Sequence, residues 1–230
     1  MGIIGGIGPE STIEYYRSII AGYRKRIGDG SYPSIIVNSI DMTRMLDGIS
    51  RGRLDETADF LSRELDRLAA AGADFALLAS NTPHIVFDQL RRRSRIPLIS
   101  IVEAACDAAE KLKLKTVGLF GTKFTMQSDF YSKVLRGRGI EVLTPSESQQ
   151  DYIHEKYMNE LVRGMVLDQT KAGLIRIAAE MRDAKGIQGL ILGGTELPLI
   201  LRSTDEIGIP ILDTTEIHVA RILEALCEQE

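Results

Sequence analysis

The sequence predicts an α/β protein of two similar lobes, each a parallel sheet flanked by helices, with a pseudo-twofold internal duplication. Three observations predict it. Short β-branched and leucine-rich runs alternate with longer amphipathic stretches, the pattern of strands covered on both faces by helices. Two pairs of segments repeat at about half the chain length. No low-complexity linker interrupts the alternation.

In chain order the strand candidates are GIIGG (2–6), SIIVNSI (34–40), DFALLAS (74–80), PLISI (97–101), TVGLFGT (116–122), GIEVLTP (139–145), GLILGG (189–194) and PILDT (210–214). Between them lie helical patterns. The stretch ETADFLSRELDRLAAAG (56–72) places Ala, Leu and Phe at i, i+3, i+4 and i+7, the spacing of a helix with one apolar face. IVEAACDAAEKLK (101–113) and HVARILEALCEQE (218–230) read the same way. They carry the two cysteines, Cys106 and Cys227, at no ligand-like spacing, so neither a disulfide framework nor a metal site is expected.

The repeat sets residues 2–16 under 117–131, each an apolar strand, a glycine turn and an acidic-aromatic helix start. A second pair sets Ser80 opposite Gly194 and Ile96 opposite Ile209. The expected lobes are residues 1–115 and 116–230, the C-terminal helix being free to cross over to the first. Ligands of open α/β sheets bind beyond the carboxyl ends of strands. Two like lobes that face each other bring their strand-to-helix loops into one cleft, with Ser80 and Gly194 approaching a ligand from opposite sides.

Composition narrows the function classes. The chain has 230 residues, 44% apolar content and a formal charge of -4, which suits a protein with a buried core and disfavours nucleic acid, whose phosphates need clustered Lys and Arg. The triplet Arg91 to Arg93 reads as a solvated helix face. No apolar run reaches bilayer-spanning length, and the N-terminus passes directly into MGIIGGIGPEST, so no membrane partner and a cytoplasmic location are expected.

The loops after the strand candidates carry the chemistry. In SNTPH, Thr82 is placed to cap a helix beginning at Pro83, and in GGTEL Thr195 is placed likewise, with Glu196 in the first turn. GIGPEST offers Gly8 and Pro9, and GTKFTM offers Thr122 and Thr125. Helix starts with free N–H groups suit carboxylate oxygens, so a small anionic amino acid or carboxylate is the expected ligand. GGIGPES has Ser11 where a dinucleotide loop has its third glycine. His84, His154 and His218 lack metal spacing, and His84 lies one turn from Ser80. Asp213 either orients a ligand or caps the helix that follows. Arg44, in DMTRML, is a candidate for a distal carboxylate.

Taken together, GGIGPESTIEYYR, SNTPH, GTKFTMQSDFY, ILGGTELPL and IPILDTTEIHV resemble, in order and spacing, the aspartate/glutamate racemase family, within the larger group that includes the hydantoin racemases. The resemblance runs along nearly the whole chain. It implies a two-lobed α/β homodimer that racemises an acidic amino acid without pyridoxal phosphate or another cofactor. It also implies two cysteines, one on each face of the substrate Cα, one removing the proton and the other returning it. Those positions are Ser80 and Gly194 in this chain. Glycine has no side chain to move a proton, and serine needs an activating neighbour.

Three readings remain open. The first is an amino-acid racemase-like isomerase with Ser80 and Glu196, or His84, as acid/base groups. The second is a lyase or one-sided isomerase on the same scaffold. The third is a non-catalytic binding protein that kept the carboxylate cradle. In each, Gly8, Arg44, Asn81, Thr82, Thr122, Thr125, Gly194 and Thr195 are the expected ligand contacts.

Overall fold

The computed structural model describes residues 1–201 and 204–228. It contains two four-stranded parallel sheets. Each of the eight apolar runs of the sequence supplies one strand.

The first sheet has the order β2-β1-β3-β4, built from β1 (Gly2–Gly5), β2 (Ile36–Ser39), β3 (Ala76–Leu78) and β4 (Leu98–Ile99). Its helices are α1 (Pro9–Ile27), α2 (Met42–Ser50), α3 (Leu54–Ala70) and α4 (Phe87–Arg93). Helix α5 (Ile101–Lys111) leads to the second sheet, whose order β6-β5-β7-β8 repeats the first. That sheet is made of β5 (Thr116–Gly121), β6 (Glu141–Leu143), β7 (Gly189–Gly193) and β8 (Ile211–Asp213). With it come α6 (Lys123–Gln127), α7 (Phe130–Arg136), α8 (Glu147–Asn159) and α9 (Asp168–Lys185), and the chain ends in α10 (Thr214–Cys227). An identical strand order in both sheets is the structural form of the internal repeat.

The chain groups into two compact units, one of Met1–Ile101 with the C-terminal segment from His218, the other of Val102–Ile217. Most of α10 therefore belongs with the first sheet. Its apolar stripe explains why: Val219, Ile222, Leu223 and Leu226 pack with Tyr15, Ile19 and Tyr23 of α1 and with Leu77 of β3. Gly22 lets the helices approach, since an added Cβ there would stand 2.3 Å from Leu223 Cδ1. In the second unit, Ile153 and Tyr157 of α8 and Leu174, Ile177 and Met181 of α9 cover Phe120, Leu190 and Leu192 of the sheet.

Local chemistry sets the helix ends. Helix α1 starts at Pro9, whose missing N–H falls where none is needed, and stops at Gly28, at φ 75°. Helix α8 carries a capping box between Ser146 and Gln149. Asp213, left open by the sequence between ligand and cap, is a cap: it accepts from the backbone N–H groups of Thr215 and Glu216 at 2.8 and 3.1 Å.

In each sheet the chain leaves the first strand for a neighbour on one side and later returns to pair on its other side. The gap between β1 and β3, and that between β5 and β7, are thus topological switch points, where the loops at the carboxyl ends diverge and leave room for a ligand.

Candidate functional site

The loops at the two switch points hold the acid/base groups Ser80 and Glu196 and all but one of the ligand contacts expected from the sequence. In the first unit, Gly8 follows β1, and Ser80, Asn81 and Thr82 follow β3. In the second, Thr122 follows β5 with Thr125 one turn later, and Gly194, Thr195 and Glu196 follow β7. Arg44 stands apart. It is an exposed residue of α2, its guanidinium lies over the Phe60 ring at 4.4 Å, and it borders a hollow of roughly 280 Å³ between α2 and α3. Arg53, Arg63, Asp47, Glu56 and Asp59 share that lining, which includes none of the loop residues after β1 and β3.

The close approach of these loops depends on glycines at strand ends. Gly5 ends β1 against Thr12, whose side chain an added Cβ would meet at 2.5 Å. That threonine accepts from the Gly6 N–H at 2.8 Å and fixes the turn. Gly6 itself has φ 80°, and a Cβ on it would collide with the Ile40 carbonyl at 2.3 Å, so no other residue fits. The second unit repeats the device: Gly121 pairs with Gly193, and both clear a place for Thr125, which is fully buried. Thr125 therefore supports the loop from beneath. Its hydroxyl lies 3.1 Å from that of Thr122, which caps α6 by accepting from the Thr125 N–H.

Two helix starts expected from the sequence differ in the structure. Residues Thr82–Val86 form a 3-10 turn that precedes α4, with Thr82 inside it and Asn81 before it. Thr82 is therefore not the cap residue. After β7 the chain forms a short 3-10 turn, Leu197–Leu199, containing Pro198, and a second one at Thr204–Glu206. Proline lacks an N–H, and three-residue spacing leaves no open row of amide donors. Thr195 does not cap the Leu197–Leu199 turn. Its hydroxyl donates instead to Glu196 Oε2 at 2.8 Å, and Glu196 stands before the turn rather than within it.

Glu196 is 6% exposed, and its Oε2 also accepts a short hydrogen bond from the phenol of Tyr157 on α8. The Tyr157 ring lies where a side chain at residue 194 would go: an added Cβ on Gly194 would be 2.5 Å from Tyr157 Cε2. Burial, followed by the negative charge of Glu196, raises Tyr157 well above the usual tyrosine value. The phenol is thus a fixed donor. Reading the sequence missed Tyr157, which is 37 positions from Gly194 on a helix whose buried face marks packing and nothing more.

His84 cannot activate Ser80. Its Nδ1–H donates to the Ser80 carbonyl at 3.1 Å, and its Nε2 accepts from the Ile101 N–H at 3.3 Å, which fixes the neutral tautomer. Burial, then the neighbouring His218, lowers it to about 3. His218 is likewise neutral, lowered by burial to about 4. Its Nδ1 accepts from Tyr15 at 2.8 Å, and its Nε2–H donates to the Ile99 carbonyl at 3.1 Å. The two rings pin the end of β4 and the start of α5. Among the described residues no group of three or more His, Cys, Asp or Glu is placed to hold a metal ion, and no helix is long and apolar enough to cross a membrane.

A parallel α/β unit built twice, with hydroxyl-bearing loops and a buried carboxylate at the switch points, has the form of an amino-acid racemase-like protein. The comparisons agree. The family model described as Asp/Glu/Hydantoin racemase matches residues 4–222, and the chain belongs to that family. RacX, a broad specificity amino-acid racemase of Bacillus subtilis (strain 168), is 30% identical over 163 residues, covering 65% of this chain and 66% of RacX. The chain thus spans slightly less than two thirds of that relative. Among solved structures, a candidate Asp/Glu racemase from Yersinia pestis superposes with a TM-score of 0.90 at 30% identity over 98% of both chains. An aspartate racemase homologue from Pyrococcus horikoshii OT3 does so at 0.84 and 33%, again over 98% of both.

Proposed function

We propose that this chain moves a proton at the Cα of aspartate, glutamate or a related small carboxylate, as a cofactor-independent isomerase working as a homodimer. One observation carries the reading. The loop after β7, which has lost its side chain at Gly194, holds a buried carboxylate two residues on, with two hydroxyl donors from Tyr157 and Thr195 on one oxygen. Buried ionisable groups at strand ends are the usual acid/base positions of α/β enzymes.

In this reading Glu196 takes the Cα proton and becomes a carboxylic acid, and the substrate becomes an enolate-like anion. Protonation of that anion from Glu196 restores the starting hand. Protonation from the Ser80 hydroxyl inverts it and leaves an alkoxide; solvent reprotonates the alkoxide and takes the proton from Glu196, which restores both groups. Backbone and hydroxyl groups of Gly8, Asn81, Thr82 and Thr122 hold the substrate carboxylates, as donors aimed at developing charge.

A second reading, exchange on one face only, is favoured by His84, whose ring nitrogens are both committed to backbone groups and leave Ser80 without that base. Incubation of the purified protein with L- and D-aspartate and L- and D-glutamate in deuterated water, followed by proton NMR of the Cα signal, separates the readings. Loss of signal from both hands of one amino acid is the expected result, and loss from one hand only supports one-sided exchange. Tight binding without any loss would leave a binding protein in place of the isomerase.

A further inference from the structure

We infer that Tyr157 is the positioning residue of the loop after β7: its ring occupies the space a side chain at position 194 would take, and its phenol holds the Glu196 carboxylate in place. The second half rests on the proposed role of Glu196 as proton carrier. The first half rests on geometry alone.

Backbone conformation does not demand glycine at 194, which is not among the glycines with positive φ. Space does. An added Cβ would stand 2.5 Å from Tyr157 Cε2, 3.0 Å from Cζ and 3.1 Å from the phenol oxygen, whereas carbon atoms pack best at about 3.5–4.0 Å. The ring has little room to yield, since Tyr157 is 6% exposed and belongs to the core cluster that holds Ile153, Leu161 and Leu197.

Its position also has a chemical result. A side chain at 194 would push the phenol off Glu196 Oε2, an oxygen it shares with the Thr195 hydroxyl. Two hydroxyl donors on one oxygen fix the direction of the carboxylate. Gly194, Tyr157 and Glu196 therefore act as one assembly: the glycine makes room for the ring, the ring places the phenol, and the phenol orients the carboxylate.

Thermal unfolding of four proteins tests the steric half: wild type, Gly194→Ala, Tyr157→Leu and the double variant. Gly194→Ala is expected to lower Tm by about 3–8 °C with Tyr157 present and by less than about 2 °C in the Tyr157→Leu background. Equal losses in the two backgrounds overturn it. Tyr157→Phe tests the positioning half, because it keeps the ring and removes the donor. Tyr157→Phe is expected to reduce kcat with KM within about twofold. An unchanged kcat overturns that half. If wild type exchanges none of the four substrates, the proposed function falls, and the carbon-13 shift of the Glu196 carboxyl decides the matter instead. A shift that differs between wild type and Tyr157→Phe supports the assembly, and identical shifts refute it.

Discussion

Gly194 and Ser80 occupy the positions where the family resemblance places cysteines, and the structure makes the two replacements unequal. Ser80 keeps a hydroxyl on the loop after β3, while Gly194 has given its space to Tyr157. Restoring a thiol at 194 alone therefore drives its Cβ into the tyrosine ring. Ser80→Cys/Gly194→Cys is expected to be less stable than wild type and to racemise no faster. Adding Tyr157→Leu is expected to raise the rate of Cα exchange at least about tenfold over that double variant, a modest share of what a positioned acid/base pair supplies. Deuterium incorporation measured on all three proteins checks this, and equal rates with and without the Tyr157→Leu change would remove the steric explanation. The positions of Ser80, Thr82, Thr122 and Glu196 at strand ends were legible from the residues themselves, because small polar residues after an apolar run mark such junctions. Tyr157 was not legible, since its role depends on which loop α8 is packed against.

Among the elements, helix ends and strand ends carry most of the local specification. Asp213 is both the last residue of β8 and the cap of α10, accepting from two backbone N–H groups. Asp213→Ala is expected to cost about 1 kcal/mol, seen as a lower urea midpoint with an unchanged slope. Gly121→Ala is expected to cost more, about 1–3 kcal/mol, because the added methyl meets the Gly193 carbonyl at 2.7 Å and Thr125 at 3.0 Å. If Gly121→Ala unfolds at the wild-type midpoint, the glycine pair is not what seats Thr125. Strand identity was readable from composition, and Asp213 was readable as either cap or ligand group. The turns after β3 and β7 were misread as capped helices, since a threonine before a proline signals a helix start whether the chain continues as an α-helix or stops after one 3-10 turn. After β7, Pro198 falls inside the turn.

At the scale of the molecule, two buried histidines make stability depend on acid. His84 and His218 are held neutral in the folded state, at about 3 and about 4, against an unfolded value near 6.5. Because the unfolded chain binds more protons between those limits, their contribution is complete above about pH 6.5 and is lost as pH falls toward 4. Urea unfolding at pH 7 and pH 4.5 should show wild type losing on the order of 2 kcal/mol more than His218→Gln over that interval. Parallel losses in both proteins would mean that His218 is not the sensor. The same histidine belongs to α10, whose apolar stripe covers α1 and β3 although more than 180 residues of chain separate α10 from α1. The sequence by itself determined the eight strands, their alternation with helices, the repeat of one unit and the family. The strands and their alternation with helices follow from short-range periodicity, which each segment carries by itself, whereas the repeat and the family rest on the likeness of whole sequence blocks. Only the tertiary structure decided that α10 serves the first sheet, that both histidines are structural pins, that Arg44 lies on the α2–α3 hollow, and that a tyrosine fills the place beside Gly194. Each of these depends on which surfaces meet across long stretches of chain, and burial, steric exclusion and hydrogen-bond partnership exist only once they have met.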